Sequence, residues 1–539
     1  MAVLLAPLAR AAILGTGRND PRSATLSNDA EALVVRQAGP VDRARQILLQ
    51  AGAHAVYQRA GRLADIAPTL PASAPVDTMP VCSPGAADLI AGMLQGHGVD
   101  LIPEALERIR QARVRLPHAL LPVVLSEQEP ARRLAVLSML GERGRWLAQF
   151  NPRWGWVSEA NITNPADVPA DAETVWHEGS AAQRLFLLQH IRAVDPALAR
   201  AWIEGVWKEE KAEFRKDLVE ALASQLSSDD EPFLEIALGD RSQGVQEAAI
   251  DLLRRLGDSA LIKRMQARAD TMLSYAQLNA LVTITIGGKR LNAGQLCVIP
   301  PRIEDINRQW QRDGISRTPL RNTGDRVDWL KQVLSFVPPS YWEQRFRASP
   351  AELIDAVRAN EWRVAVLEGW GTAVAYYGHG HWALPLLTWF CAAREAPDYV
   401  AKPLINGLMR LLSRDQAEQF IVAMLAKPGN QKPCRWAEAL SAWAEPWSVE
   451  FGSYYLAALR APIFAVSERH PRVLVGADWG RTLYRASHAL PSLCFECALQ
   501  PLPLNFTPTD AFGRHSQRQI DAFHATIRAR QRLAEEIPL

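Results

Sequence analysis

At 539 residues the chain is too long for one ordinary globular domain, and at 48% hydrophobic and 22% charged it falls outside the largely disordered class. Its 60 basic and 58 acidic residues nearly cancel, to a formal +2, which leaves no overall field to draw it to nucleic acid or an anionic membrane. The 6 cysteines are few and scattered, which excludes a disulfide framework and points to a reducing, cytoplasmic compartment.

Taken in chain order, the first segment, MAVLLAPLAR, is apolar but has no basic flank and is broken by Arg10. It reads as a first amphipathic helix rather than an export signal. Gly15-Thr16-Gly17-Arg18 follows a helix and not a strand, so it reads as a C-cap and turn rather than a phosphate loop. Residues 1–150 read as an N-terminal helical region, interrupted from Ile66 to Pro84 by a stretch rich in Pro, Ala and Ser that suits a linker or an extended wrap. From Asn151 to Ala172, Pro152, Pro165 and Pro169 predict irregular structure.

Residues 173–286 carry the clearest pattern. Val245, Ala248, Ala249, Leu252, Leu253 and Leu256 fall on one stripe of a 3.6-residue helix, with Asp240 or Ser242 as cap and Gly257 placed for a left-handed C-cap. Helices of the same kind are predicted from Ala181 to Arg192, from Pro196 behind the Asp195 cap, from Glu213 to Leu226, after Ser228, and beyond Ser259. Short helices joined by short turns make an antiparallel stack. The order of Asp240, Val245, Ala249 and Leu253 resembles the second half of a HEAT-type repeat. Gln246 stands where that repeat has a basic residue, which weighs against an inter-repeat Asp–Arg ladder. Residues 287–325 read as an irregular insertion with one short strand at Gln295 to Ile299. Residues 326–539 return to helices: Trp329 to Val337, Ala351 to Arg358, Glu361 to Ala375, Ala383 to Ala393, Lys402 to Leu412, Asp415 to Leu425 and Ala511 to Glu536. No run reaches the roughly 18 apolar residues of a membrane span. The fold expected is all-α, a solenoid of HEAT-like antiparallel helix pairs with irregular insertions.

The chemistry-bearing motifs are sparse. No Walker loop, HExxH, nucleophile elbow or pair of CxxC motifs is present. Cys494-Phe-Glu-Cys497 has zinc-ligand or redox spacing but stands alone, and two buried thiols are the default reading; His379-Gly-His381 reads as a polar turn, and Asp229-Asp230-Glu231 as the acidic start of a helix. No catalytic residue, metal or cofactor is assigned. The 17 tryptophans against 9 tyrosines are an excess that suits packing between stacked helices. Nine of the basic residues are lysine, none before Lys208, and the resulting weight of arginine fits the codon usage of a GC-rich bacterial genome. Gly141 to Trp156, GERGRWLAQFNPRWGW, interleaves arginine with tryptophan, a combination that grips acidic peptide or stacks on bases. Arg143, Arg145, Trp146, Asn151 and Trp154 are therefore the candidate contact patch.

Several segments together carry a resemblance: AAILGTGR, LLQAGAHAVYQRAG (Leu48 to Gly61), GERGRWLAQFNPRW, EGSAAQRLFLLQHIRAVDPALAR (Glu178 to Arg200), DEPFLEIALGDRSQGVQEAAIDLLRRL (Asp230 to Leu256) and WLKQVLSFVPPSYW (Trp329 to Trp342). The chain resembles an uncharacterised bacterial family of helical-repeat proteins typically encoded beside a SWIM-type zinc-finger protein, a MoxR-type AAA ATPase and a von Willebrand factor A domain protein. The resemblance implies a scaffold or adaptor for an ATPase-driven assembly. The leading expectation is thus a non-enzymatic protein-interaction scaffold. A nucleic-acid-binding helical repeat is the alternative, motivated by the Arg143 to Trp156 stretch. An enzyme using acids such as Glu178 or Asp230 near an arginine is the third.

Overall fold

The computed structural model describes residues 71–159, 172–276, 284–286, 289–291, 294–318, 324–393, 395–426, 434–460, 477–502 and 511–538, with a few helical positions between 45 and 52. The opening helix, the Gly15–Gly17 turn and most of 48–61 lie outside the described residues. The chain divides into two compact units, Met1–Pro75 and Val76–Leu539; all that follows concerns the second.

Helices α1 (Pro84–Leu94), α2 (Ile102–Ala112), α3 (Leu121–Leu125), α4 (Pro130–Leu137), α5 (Gly141–Ala148) and α6 (Trp156–Glu159) enclose a small apolar core. The residues before α1 run extended, and Val81 bridges Arg115, so the described part of the Pro-rich stretch is an extended wrap. Asp77 on that wrap accepts the backbone N–H of Glu142 at 2.5 Å and so caps α5, which sequence reading left without a cap.

The rest is one long two-layer array. Helices α7 (Ala172–Glu178), α8 (Ala181–Val194), α9 (Pro196–Val206), α10 (Ala212–Ala221), α11 (Glu231–Ala237), α12 (Gln243–Arg255) and α13 (Ala260–Met272) lead into it. Two antiparallel ribbons follow: β1 (Leu273–Tyr275) pairs with β4 (Leu296–Val298), Leu273 opposite Val298, and β2 (Ile284–Ile286) pairs with β3 (Lys289–Leu291). The array then runs through α14 (Arg308–Arg312), α15 (Asp325–Phe336), α16 (Pro339–Phe346), α17 (Pro350–Ala356), α18 (Arg363–Tyr377), α19 (Gly380–Ala392), α20 (Asp398–Met409), α21 (Arg414–Leu425), α22 (Cys434–Ala442), α23 (Val449–Arg460), α24 (Ala477–Ala489), α25 (Phe495–Ala498) and α26 (Ala511–Glu536). Helices α8, α10, α12, α13, α15, α18, α20, α22, α24 and α26 pack each against the next, a continuous inner row, while the intervening helices form a second layer over it. That is the all-α helical repeat the periodicity predicts.

Local sequence explains the elements. Ser180 and Gln183 form a capping box before α8, Asp195 accepts the N–H of Leu198 with Pro196 at the first turn of α9, and Ser259 caps α13. On α12 the stripe Val245, Ala248, Ala249, Leu252 and Leu253 is fully buried. Gly257 does not act as a left-handed C-cap: the helix ends at Leu256 in a non-helical conformation, and the Ser259 hydroxyl donates to Leu253 O at 2.7 Å, closing an end carbonyl that the glycine was expected to serve. Trp342, Trp370 and Trp382 pack ring against ring in the interior, with centroids 6.2 and 5.5 Å apart, so these tryptophans are packing residues.

Buried arginine–aspartate pairs stitch the layers. Arg192 on α8 and Asp230 before α11 are both fully buried and joined, with Arg200 adding a bond of 2.8 Å to the same carboxylate. Arg215 on α10 grips Asp240 before α12 with two bonds of 2.9 Å. Arg264 and Arg268 on α13 both hold Asp313, at 2.7 and 2.5 Å. An inter-repeat ladder therefore exists, contrary to the expectation drawn from Gln246. Its arginine comes from the preceding inner helix, not from the position after Val245. Of Asp229-Asp230-Glu231, two are likewise committed: Asp230 to the arginines and Glu231 to the N–H of Ala260 at 2.6 Å.

The last helix ties both cores together. Ile520, Phe523 and Ile527 belong to the large core, and Leu533 and, just past the helix, Ile537 to the small one. Arg530 sits at the crossing, donating to Glu104 Oε2 at 2.6 Å and to the carbonyls of Ser487 and Leu490 at 2.9 Å.

Candidate functional site

The apolar stripe of α12 faces the core, so its opposite face, Gln243, Gln246, Glu247, Asp251 and Arg254, must face outward. It does not meet open solvent alone. Residues 311–318 of the insertion lie across it: Asp313 is pinned by Arg264 and Arg268, Ser316 donates its N–H to Gln332 at 2.7 Å, and Trp329 Nε1 donates to Ser316 O at 3.1 Å. Gly314 makes the turn at φ +93°, where a side chain would run into Ile250. The result is a cleft of about 570 Å³ between α12 and residues 311–318.

Its floor is preorganised. Tyr376 Oη lies 2.7 Å from Asp251 Oδ1 and 2.9 Å from Asp251 O, and Arg255 donates to Oδ2 at 2.5 Å, so this carboxylate is fully engaged. Burial and the neighbouring Asp251 push the Tyr376 phenol up to about 12, which keeps it a donor at neutral pH. Arg254 lies 3.8 Å over the Tyr376 ring and 4.5 Å over Phe336, and donates to Ser335 O at 2.8 Å. Its Nε is buried with no hydrogen-bond partner. At the rim Arg241 and Arg317 are exposed and form no ion pair among the described residues. The cleft thus presents three guanidinium groups against Glu247, with Asp251 already neutralised. Its lining holds no cysteine, histidine or lysine. What it can do is bind an extended, acidic, hydrogen-bonding segment.

The patch read from sequence lies elsewhere. Arg143 and Arg145 are exposed on α5; Arg143 lies 3.4 Å from His118 Nδ1, and Arg145 pairs loosely with Glu142 at 3.6 Å. Trp146 is half-buried and meets Phe150 edge-on at 4.8 Å, and Phe150 itself is 50% exposed. Asn151 caps the short turn Pro152–Trp154, and Trp154 packs half-buried against the small core. Replacing Arg143 and Arg145 by alanine is expected to change stability by less than about 1 kcal/mol, as for other exposed side chains; thermal melting checks this, and a larger drop would make their contacts structural.

The cleft residues were missed by sequence reasoning. The polar face of α12 was present in the same pattern as its stripe, but Tyr376 lies 125 residues beyond Asp251 and the wall comes from the insertion. His379 and His381 stand at the start of α19, where His381 bonds Glu343 at 2.8 Å, a polar turn as expected. Among the described residues no group of three or more His, Cys, Asp or Glu is placed to hold a metal ion, and no helix is long and apolar enough to cross a membrane. A family model matches residues 7–537. The chain belongs to DUF5691, a family of unknown function. No curated protein and no solved structure matches it.

Proposed function

We propose that this DUF5691 member is a non-enzymatic interaction scaffold or adaptor, and that its α12 cleft grips an acidic segment of a protein partner. The observation that carries the reading is the pairing of a rigid floor, Asp251 with Tyr376 and Arg255, with the exposed rim arginines Arg241 and Arg317, which form no ion pair among the described residues. Guanidinium forks on a preorganised surface recognise carboxylates with little ordering cost. The partner class proposed, following the resemblance, is a MoxR-type AAA ATPase or a von Willebrand A domain protein, and the setting the bacterial cytoplasm. The surface of exposed Arg143 and Arg145 beside half-buried Trp146 is a second contact for the same partner.

The test is co-purification from nuclease-treated lysate, with and without ATP, comparing the unaltered chain with R241A/R317A. Recovery of one of those partners is expected to fall about tenfold in the variant, two rim anchors being worth roughly 1–2 kcal/mol together. Its thermal midpoint should stay in place. Recovery that is unchanged by the substitutions, or only of nuclease-sensitive material, overturns the assignment and favours the nucleic-acid reading.

A further inference from the structure

The turn that precedes the C-terminal helix carries two reduced thiols for which the adaptor reading has no use. Cys494 ends the single 3₁₀ turn Ser492–Cys494, and Cys497 lies in α25. Residues three apart on a helical turn have Cα atoms about 5 Å apart, inside the span of roughly 4.4–6.8 Å that a disulfide bridges. The sequence alone suggests two buried thiols. Only Cys494 is buried, and Cys497 is exposed.

Their surroundings differ in a way that assigns roles. Cys494 Sγ rests 3.8 Å from Val449 O and 3.9 Å from Ser453 Oγ, and burial pushes its thiol up, so it is the less reactive of the two. Against Cys497 Sγ stands Arg460, whose Nη1 donates to the sulfur at 3.5 Å. That guanidinium is fixed by the carbonyls of Leu456, Cys497 and Gln500, at 3.1, 2.6 and 3.4 Å. A cation donating to an exposed sulfur is the neighbour that thiolate chemistry uses. His524 of α26 faces the same turn, hydrogen-bonded to the backbone of Ala498. Burial, then the charges of Arg528 and Arg460, hold its imidazole below the usual histidine range, and its Nε2 is buried with no hydrogen-bond partner.

We infer that Cys494 and Cys497 form a peroxide-responsive thiol–disulfide pair, with Cys497 as the attacking and Cys494 as the resolving sulfur. Cys497 attacks one oxygen of hydrogen peroxide; the S–O bond forms as O–O breaks, and the departing hydroxide takes the thiol proton and leaves as water. Cys494 then attacks the Cys497 sulfenic acid, S–S forms, S–O breaks and a second water leaves. Two thiols lose two electrons in all, and the peroxide is reduced to two waters. The step has a structural consequence. Cys494 Sγ packs so close to α23 that a side chain at Gly452 would meet it at 3.0 Å. Drawing the sulfur towards Cys497 withdraws it from that contact and loosens the junction of α23 and α25 beneath α26.

The experiment treats the purified full chain with hydrogen peroxide, blocks remaining thiols and maps peptides by mass spectrometry. The unaltered chain is expected to yield an intramolecular Cys494–Cys497 disulfide. C494S should stop at a sulfenic acid on Cys497 that dimedone captures, and C497S should give no product at Cys494. R460M should slow oxidation of Cys497 by about fivefold, with circular dichroism showing the variant folded. Cys497 stopping at the sulfenic acid in the unaltered chain, or reacting as fast in folded R460M, overturns the inference. Neither outcome touches the α12 cleft.

Discussion

Asp230→Ala is expected to lower stability by about 3–5 kcal/mol, the cost of leaving a buried charge without its partner. Arg192 is wholly buried, and besides Asp230 its guanidinium meets only carbonyl oxygens: Ser224 at 2.7 Å, Pro196 at 2.9 Å, Gln225 at 3.1 Å and Leu222 at 3.3 Å. Removing the carboxylate strands that positive charge and also frees Arg200 and the N–H of Ser227, which Asp230 accepts at 3.0 Å. Asp230→Asn keeps the shape and some hydrogen bonds and should lose less. Thermal or urea unfolding of the three proteins at neutral pH measures the difference. The pH dependence follows from the same geometry. Burial alone would raise the Asp230 carboxyl, but Arg192, the Ser227 N–H and Arg200 outweigh it and hold it below the ordinary value of 3.8. A lowered native value means the stabilisation is complete above 3.8 and is lost as pH falls below it. Acid unfolding of the unaltered chain should therefore show a component near and below pH 3.8 that Asp230→Ala lacks.

Arg530→Ala is expected to cost about 3 kcal/mol and to uncouple the two cores. Its bond to Glu104 reaches the small helical region, and its bonds to Ser487 O and Leu490 O reach the end of the large array. Losing it leaves one carboxylate and two carbonyls short of a donor, and removes a stack over Phe495 at 5.1 Å. Calorimetry should show one unfolding transition in the unaltered chain and a broadened or split one in the variant, because the small core would then be held to α26 only by the packing of Leu533 and Ile537 and by the peripheral bonds of Ser83 to Glu536 and Arg108 to Ile537 O. A single sharp transition at an unchanged midpoint would show that those remaining contacts suffice.

The fold was legible wherever a helix faces the core on one side only. On α12 the stripe from Val245 to Leu253 is broad and regular, and the helices of 173–286 and most of those up to Leu425 follow from the same rule. The helices between Cys434 and Ala489 were not found. Trp443, Trp447, Phe451, Tyr455 and Leu456 are buried together there, and residues this bulky set on both sides of the Trp447 turn blur the 3.6-residue period. Pairings across repeats were also out of reach. Arg215 and Asp240 stand 25 residues apart, and only stacking of α10 on α12 brings them together. The cleft shares that reason: its floor is sequence-local on α12, while Tyr376 and the wall at Gly314 to Thr318 arrive through the fold. The Arg143 to Trp154 patch was visible because its residues are neighbours in sequence.

The adaptor reading is tested most directly by a photo-crosslinking amino acid placed at Gln246, on the polar face of α12 within the cleft, in the protein's native cells. The account predicts a crosslink to a protein that resists nuclease and disappears when R241A/R317A is added. Crosslinking to nucleic acid alone, or a protein crosslink that persists undiminished in R241A/R317A, would contradict it.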